Sequence, residues 1–597
     1  MLLQCVVGAF FCIFVVRFWY LQIHRGDEFV RQSRDNRLRD ELIYATRGTI
    51  HDINGFMLAE NRTAFGLALI REDCRDIPAT LAQVSQWTEL PIERMRHKFE
   101  QDRQKAKPYE PILLISDLSF EKVMEIESRL FSWPGLQVVT HSKRTYPYSD
   151  IFAHLLGYVA AVNTRELEAD PALSLRDTIG KQGIEYVLDK RLRGTKGLYS
   201  VDVDSRGQAL GRTMMKAPQN GEDVTLTIDA RLQQAIVDIL GEQTGSVVVM
   251  DPEDGRVRAL VTTPSYDNNL FIGGMPQKEW DALRDDLRHP LQNRAIQSVY
   301  PPGSVWKLMM TGLFLSKGVA PTQRVLCTGE IKLGNQTFRC WRRGGHGYVD
   351  MKASLVHSCD VYYYTLGEKL GIDNIEAFAK ACGFGAPTGI ELPYEKSGLV
   401  PSRAWKRRRF KKPDQQRWQR GETLNVSIGQ GATLTTPLQI ASFICALLNG
   451  GKLMEPHLVD DTPPKERGEI PISASHRKFI VDAMQATVED PGATARVLKR
   501  DDAVIGGKTG TAQVVKLRMI GERRLKTSEV DYFERDHAWM ASWGQRDGKT
   551  VVIVAMVEHG GGGASVAGPI VKKVYDVYYR LEGGLPLPPA ATEEGAP

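Results

Sequence analysis

Apolar and polar positions divide this 597-residue chain into three stretches of different texture. The first, MLLQCVVGAFFCIFVV from Met1 to Val16, carries no charge, and past Arg17 the apolar character continues through FWYLQI. Sixteen helical residues span roughly 24 Å, slightly short of a bilayer core. Extension to Ile23, with Arg17 snorkelling and Trp19 and Tyr20 at the interface, gives enough length. The next residues, HRGDEFVRQSRDNRLRDE, are strongly charged, and no small-residue cleavage site intervenes. Residues 1–23 therefore read as an uncleaved single-pass anchor; a signal peptide and a buried core helix are the alternatives. No basic residue precedes the run, so positive charge does not orient it. No other run approaches membrane length, which places everything after residue 23 on one side.

The second stretch, 24–225, mixes short alternating patterns with helical ones. Asn54-Gly55 in RGTIHDINGFMLAENR is a hairpin signal, LQVVTH (136–141) reads as a strand, and Pro171 starts or breaks a turn in the helical ELEADPALSL region. No catalytic constellation stands out in it. The third stretch, 226–581, opens with DARLQQAIVDILGEQ (229–243), a helical pattern with Asp229 placed as N-cap. SVVVMDPEDGRVRALVTT (246–263) then reads as a hairpin about Asp254-Gly255. Two more strands, HAWMASWG (537–544) and TVVIVAMVEHG (550–560), and a helix, PIVKKVYDVYYRL (569–581), close it. Strands at both ends with helices between predict an antiparallel sheet whose first and last strands are close, with flanking helices and an inserted helical subdomain. The fold class expected is α+β and multidomain, and the tail 582–597 is expected to be disordered.

Composition changes this picture little. A net charge of +5 is a mild excess and does not mark a nucleic-acid binder. Of the eight cysteines, Cys5 and Cys12 lie in the anchor, whereas Cys327, Cys340 and Cys359 crowd into 33 residues. That is no chain-wide disulfide framework.

The chemistry lies in the third stretch. YPPGSVWKLMM (300–310) runs from a Pro-Pro-Gly breaker into an apolar helix carrying Ser304 and, one turn on, Lys307. Ser358-Cys359-Asp360 lies within what reads as one helical run, MKASLVHSCDVYYYTLG, and Lys508-Thr509-Gly510-Thr511 precedes the terminal strand pair, on a strand expected at a sheet edge. Each motif alone is weak. Their order and spacing resemble the motif set shared by class A β-lactamases and penicillin-binding proteins. The logic is acyl transfer: a serine hydroxyl needs a base, and Lys307 at i+3 shares its helix face. Burial beside Trp306 with Lys508 nearby would favour a neutral amine. Ser358 is placed to relay a proton, and Lys508, Thr509, Gly510 and Thr511 to meet a substrate carboxylate. The N–H groups of Ser304 and Thr511 would form an oxyanion hole. Against this stands the reading that Ser304 only caps a helix and Lys307 only snorkels. The GGKTG stretch is no phosphate loop, because that spacing requires Gly where Asp502 stands.

With these motifs in place, the chain resembles a class B penicillin-binding protein over nearly its whole length. The resemblance includes the anchor, RGTIHDING, KQGIEYVLDKRLRG (181–194), the three motifs and IGQGATLTTPLQIA (428–441). RTYPYSDIFAHLLGYV (144–159), the GHG at 345–347 and KTGTAQV bring it closer to the elongation-specific branch; the division-specific branch is the alternative. The resemblance implies that 24–225 is an elongated non-catalytic pedestal of dimerisation type and 226–581 a transpeptidase domain. It implies a bitopic protein of the inner (cytoplasmic) membrane with its catalytic domain in the periplasm. The activity implied is D,D-transpeptidation of peptidoglycan stem peptides through a Ser304 acyl-enzyme, with carboxypeptidase side activity and inhibition by β-lactams, and no cofactor needed for catalysis. The partners implied are a polytopic glycosyltransferase and other elongation-complex proteins. Asp360 departs from the Asn that many class B enzymes carry. A receptor or scaffold with a penicillin-binding domain is the reading from another class.

Two features remain. Cys327, Cys340, His346 and Cys359 offer three thiols and an imidazole, a set that fits a closed structural zinc site. Some elongation-branch enzymes bind zinc here with carboxylates at the first two positions, which cysteines replace in this chain. A Cys327–Cys340 disulfide is the alternative and His357 a competing ligand. WKRRRFKKPDQQRWQR (405–420) interleaves basic and aromatic residues, suited to lipid head groups or a diphosphate-linked glycan, or else a solvated loop.

Overall fold

The apolar N-terminal run forms α1 (Leu2–Trp19), continued by one π-type turn over Tyr20–His24. The computed structural model describes residues 2–27, 38–104, 106–174, 177–203, 209–515, 519–520, 523–524 and 529–586. Val6–His24 is, among the described residues, the one helix long and apolar enough to cross a membrane, and none of it is buried by the rest of the chain. The expected tail lies outside the described residues from 587 onward.

The unit that follows is built on sheets. β1 (Leu38–Ile43) and two later strands form one; β2 (Ile50–His51), β3 (Met57–Leu69), β4 (Ile112–Leu118) and β5 (Leu136–Thr145), with the short strand Val224–Thr225 parallel to β2, form another. The 13-residue β3 is central: β5 pairs along it from Glu60 to Leu69, and Asn54-Gly55 turns the chain from β2 into it, with Gly55 at φ +84°. β6 (Gly197–Val203) and β7 (Ala209–Lys216) complete the sheet of β1. Three stretches far apart in sequence meet on one buried carboxylate. Glu185 is fully buried, 2.6 Å from Arg47 Nη2 and 2.7 Å from Arg144 Nε, and accepts from Tyr146 Oη at 3.3 Å. Arg47 also reaches Asp189 at 2.8 Å, and Arg144 Nη1 donates to Gly48 O at 2.7 Å. This knot ties the RGT, RTY and GIEY segments together.

The unit docks on the next one through Asp52, whose carboxylate accepts from the Ala230 N–H at 2.9 Å. That residue opens α2 (Ala230–Leu240), capped by Asp229 as its sequence predicts. β8 (Gly245–Met250) and β9 (Val257–Thr263) form the expected hairpin. Helices fill the middle: α3 (Lys307–Ser316), α4 (Met351–Val356), α5 (Asp360–Ala381), α6 (Arg403–Arg409), α7 (Arg420–Ser427), α8 (Pro437–Leu448) and α9 (Ala474–Glu489). The chain then returns as β10 (Val504–Ala512), β11 (His537–Arg546), β12 (Lys549–Val557) and α10 (Gly568–Glu582). The sheet order is β9-β8-β12-β11-β10, so first and last strands are neighbours and β10 is an edge. Both faces are covered. Val247 and Val249 pack with Ile236 of α2 and Val571 of α10, while Val248 and Met250 face the core that holds Trp306 and Ile440. That is why GSVVVM is apolar without alternation.

Candidate active site

Ser304 sits in a 3₁₀ turn, Gly303–Trp306, that passes into α3 at Lys307. The expectation that the α-helix begins at Ser304 is thus corrected by one tight turn. Neither end of the segment is capped by a side chain, so the Ser304 hydroxyl does no capping; it is half-buried. The turn is wedged between neighbours. Gly303 has φ +53°, and a Cβ on it would lie 2.5 Å from Thr511 O, so only glycine fits. Its N–H donates to Gly429 O at 3.0 Å, and Trp539 Nε1 donates to Pro301 O at 3.1 Å.

Lys307 does not snorkel; its side chain is fully buried. Nζ donates to Asp360 Oδ1 at 2.7 Å, Ser358 O at 2.9 Å and Ser358 Oγ at 3.3 Å. Lys508, fully buried on β10, reaches the same Ser358 Oγ at 3.0 Å and Thr509 O at 3.2 Å. Burial, reinforced by the charge of Lys307, pushes the Lys508 ammonium well below the usual lysine range, against the pull of Asp360. One hydroxyl therefore bridges two buried amines. Thr511 turns its C=O away from β11 to accept from Gln430 Nε2 at 3.0 Å, and in an extended strand its N–H shares that open edge, facing the Ser304 turn.

Ser358-Cys359-Asp360 is not inside one helix, as its apolar run suggested. It is the break between α4 and α5, with Ser358 at φ +53°. A serine held left-handed stores of the order of 1–3 kcal/mol. The break aims Ser358 at both lysines and frees Asp360 to work on two sides. Its Oδ2 accepts from the Trp341 N–H at 3.0 Å, and its own N–H donates to Cys340 Sγ at 3.4 Å.

Behind Asp360, the side chains of Cys327, Cys340, His346 and Cys359 converge, with all four donor atoms within 4.8 Å of one another. Cys327 Sγ and Cys340 Sγ stand 3.5 and 3.6 Å from His346 Nδ1. Ligands about 2.3 Å (S) and 2.05 Å (N) from one tetrahedral ion would be roughly 3.6 Å apart, so the donor set fits zinc. A hydrogen bond from Cys359 draws the Cys340 thiol below the usual thiol range, against the effect of burial, and the three sulfurs are unbonded to each other. His357 is outside the group; its ring stacks 6.3 Å from that of His346. The sequence reading missed Gln430 and Trp341, which act through backbone contacts; the glycines flanking Gln430 are the trace they leave in the sequence.

The arrangement is a half-buried hydroxyl with two buried amines, a bridging hydroxyl and an open strand edge, suited to attack on an amide carbonyl. The chain matches the family model for the penicillin binding protein transpeptidase domain over residues 245–576 and that for the penicillin-binding protein dimerisation domain over 42–226. The peptidoglycan D,D-transpeptidase MrdA of Haemophilus influenzae is 34% identical over 581 residues, covering 94% of this chain and 88% of the relative. PBP2 of Helicobacter pylori, solved in a complex with MreC, superposes with a TM-score of 0.80 at 27% identity, covering 91% of this chain and 100% of that one. PBP2 of Pseudomonas aeruginosa, solved in complex with WCK 5153, does so at 0.68 and 31% identity, covering 93% and 100%.

Proposed function

The chain belongs to the penicillin-binding protein transpeptidase family, and from that premise we propose how its residues divide the work. It is a serine-type peptidoglycan D,D-transpeptidase of the elongation kind. Ser304 Oγ attacks the penultimate D-Ala carbonyl of a stem peptide, and Lys307, acting as the neutral amine with two N–H bonds kept to Asp360 and Ser358 O and its lone pair free, takes the proton. The N–H groups of Ser304 and Thr511 hold the oxyanion. The C–N bond breaks, and Ser358, hydrogen-bonded to Lys307, passes the proton to the departing D-Ala amine. Lys508, Thr509 and Thr511 meet the terminal carboxylate, with Gly510 keeping the strand close to the nucleophile turn. An amine of a neighbouring stem then attacks the ester, completing the cross-link and restoring the Ser304 hydroxyl. Water in place of that amine gives carboxypeptidase activity.

The observation that carries this reading is Ser358 Oγ between Lys307 Nζ and Lys508 Nζ, at 3.3 and 3.0 Å. The test is intact mass of the full chain in detergent after benzylpenicillin. One stable adduct is expected, absent in Ser304→Ala. Drug hydrolysed with no adduct would make this a β-lactamase-like enzyme; drug intact and no adduct would favour a scaffold.

Three finer points belong to the same proposal. The anchor holds the protein in the inner membrane with the catalytic domain on the periplasmic side, where the polymer is. A protein of the shape complex is a partner, as the Helicobacter pylori relative is solved in a complex with MreC, and a polytopic glycosyltransferase another. Cys327, Cys340, His346 and Cys359 hold one zinc ion, whose role when bound is structural because four protein ligands leave no open position. The four residues would then clamp the Trp341 segment onto Asp360. Native mass is expected to show one zinc per chain, lost in Cys340→Ser together with a lower Tm. A Cys327–Cys340 disulfide would instead leave those two thiols unalkylated with no metal bound.

A further inference from the structure

A strongly basic face stands beside the cleft, and the reaction above makes no use of it. Between 403 and 420 the chain carries nine lysines and arginines and a single acid, Asp414. Lys406 is accounted for: it is buried against the Glu422 carboxylate at 2.5 Å, with its Nζ over the Trp418 ring. Arg407, Arg408, Arg409, Lys411 and Lys412 are exposed and have no acidic partner among the described residues. Clustered like charges repel and destabilise the segment that bears them.

The segment is held in place rather than loose. Arg403 pairs with Asp373 at 3.1 Å and Arg420 with Glu368 at 2.6 Å, both acids on α5. α5 begins at Asp360, so Glu368 lies roughly 12 Å along the helix from the catalytic centre, while Asp373 stands beyond the break that Gly371 makes in it at φ +77°. α7 then runs from Arg420 into Gly429 and Gln430, which hold the Ser304 turn and Thr511. Gly421, in the first turn of α7, lies so close to the hairpin Glu330–Arg339 that a Cβ would be 2.9 Å from Phe338 Cζ. The basic face is therefore built onto the rim of the cleft.

We propose that this face is an exosite for the peptidoglycan strand itself, binding free carboxylates of stem peptides next to the one being cross-linked. This rests on the transpeptidase reading. The substrate is a polyanion presented as a polymer, and an extended five-residue stem spans about 17 Å, long enough for stems beside the reacting one to lie away from the nucleophile. The exosite raises the local concentration of strand at Ser304 without touching the scissile bond. Small substrates and β-lactams, which cannot reach both places, gain nothing from it.

The test uses the full-length protein and a variant with Arg407, Arg408, Arg409, Lys411 and Lys412 all changed to Gln. Retention on purified sacculi at low salt is expected to fall by about fivefold or more and to lose its salt dependence. Acylation by benzylpenicillin is expected to stay within about twofold of the parent, since the variant leaves the catalytic groups in place. A second variant with the three arginines changed to Lys is expected to keep sacculus binding, which separates charge from folding. Unchanged sacculus retention in the Gln variant overturns the proposal. So does loss of binding to phosphatidylglycerol vesicles with sacculus binding intact, which would make the face a membrane contact. Failure of the parent protein to acylate would instead strike the transpeptidase reading and leave the sacculus comparison standing.

Discussion

Lys307→Ala is expected to slow acylation of Ser304 by benzylpenicillin by about 10²–10⁴-fold, the range lost when a positioned general base is removed. The amine is fully buried and its three acceptors, Asp360 Oδ1, Ser358 O and Ser358 Oγ, leave it one turn from the nucleophile. Its removal also leaves Asp360 facing an empty space, so stability must be read alongside the rate. Asp360→Asn serves for that. A carboxamide oxygen still accepts from the Trp341 N–H or from Lys307, so this variant is expected to fold and to acylate faster than Lys307→Ala. Lys508→Ala is the necessary comparison, because burial and its neighbour push that lysine towards the neutral amine. Quench-flow mass spectrometry on the three variants decides. If Lys307→Ala acylates at the parent rate while Lys508→Ala does not, the proton goes to Lys508.

Glu185→Ala is expected to cost about 3–5 kcal/mol, because it strands Arg47 and Arg144 in a buried site. Such a loss lowers the melting transition of the unit that contains it by roughly 6–20 °C. The penicillin adduct on Ser304 should still form below that transition, since the knot lies outside the cleft. The same site predicts an acid sensitivity. The two guanidiniums hold the Glu185 carboxyl below its ordinary range, outweighing the effect of burial. Its stabilisation is therefore complete above the ordinary glutamate range and is lost as pH falls through the depressed value. Calorimetry from neutral pH down to about 3 is expected to show this transition falling more steeply in the parent than in Glu185→Gln, in which the lowered carboxyls of Asp117, Asp170 and Asp223 still titrate.

The strands at the two ends of the catalytic unit were legible because each is a fully apolar or alternating run bounded by glycine turns, as in SVVVMDPEDG. The three motifs were legible because their spacing is set by chemistry. The break at Ser358 was not. Apolar residues continue at helical spacing through MKASLV and VYYYTLG, so no periodicity marks the place where Ser358 turns left-handed. The doubled role of Asp360 was equally hidden: it depends on Trp341 and Cys340, some twenty residues earlier, reaching it through backbone and sulfur contacts. Gln430 escaped for the same reason, since what it holds is a carbonyl of Thr511. Sequence patterns report what a side chain faces, whereas these contacts are made to main-chain atoms.

The open side of β10 has one more consequence. Sheet edges are ordinarily a hazard, because they accept any extended chain that comes by. Here that indiscriminate quality is useful: an edge reads peptide groups and ignores the side chains between them. A site built this way tolerates walls whose stems differ in sequence. It is also open to deception, since any rigid molecule that displays an amide and a carboxylate in extended register is taken for substrate. The breadth that lets one enzyme serve a variable polymer is the breadth that a mimic exploits.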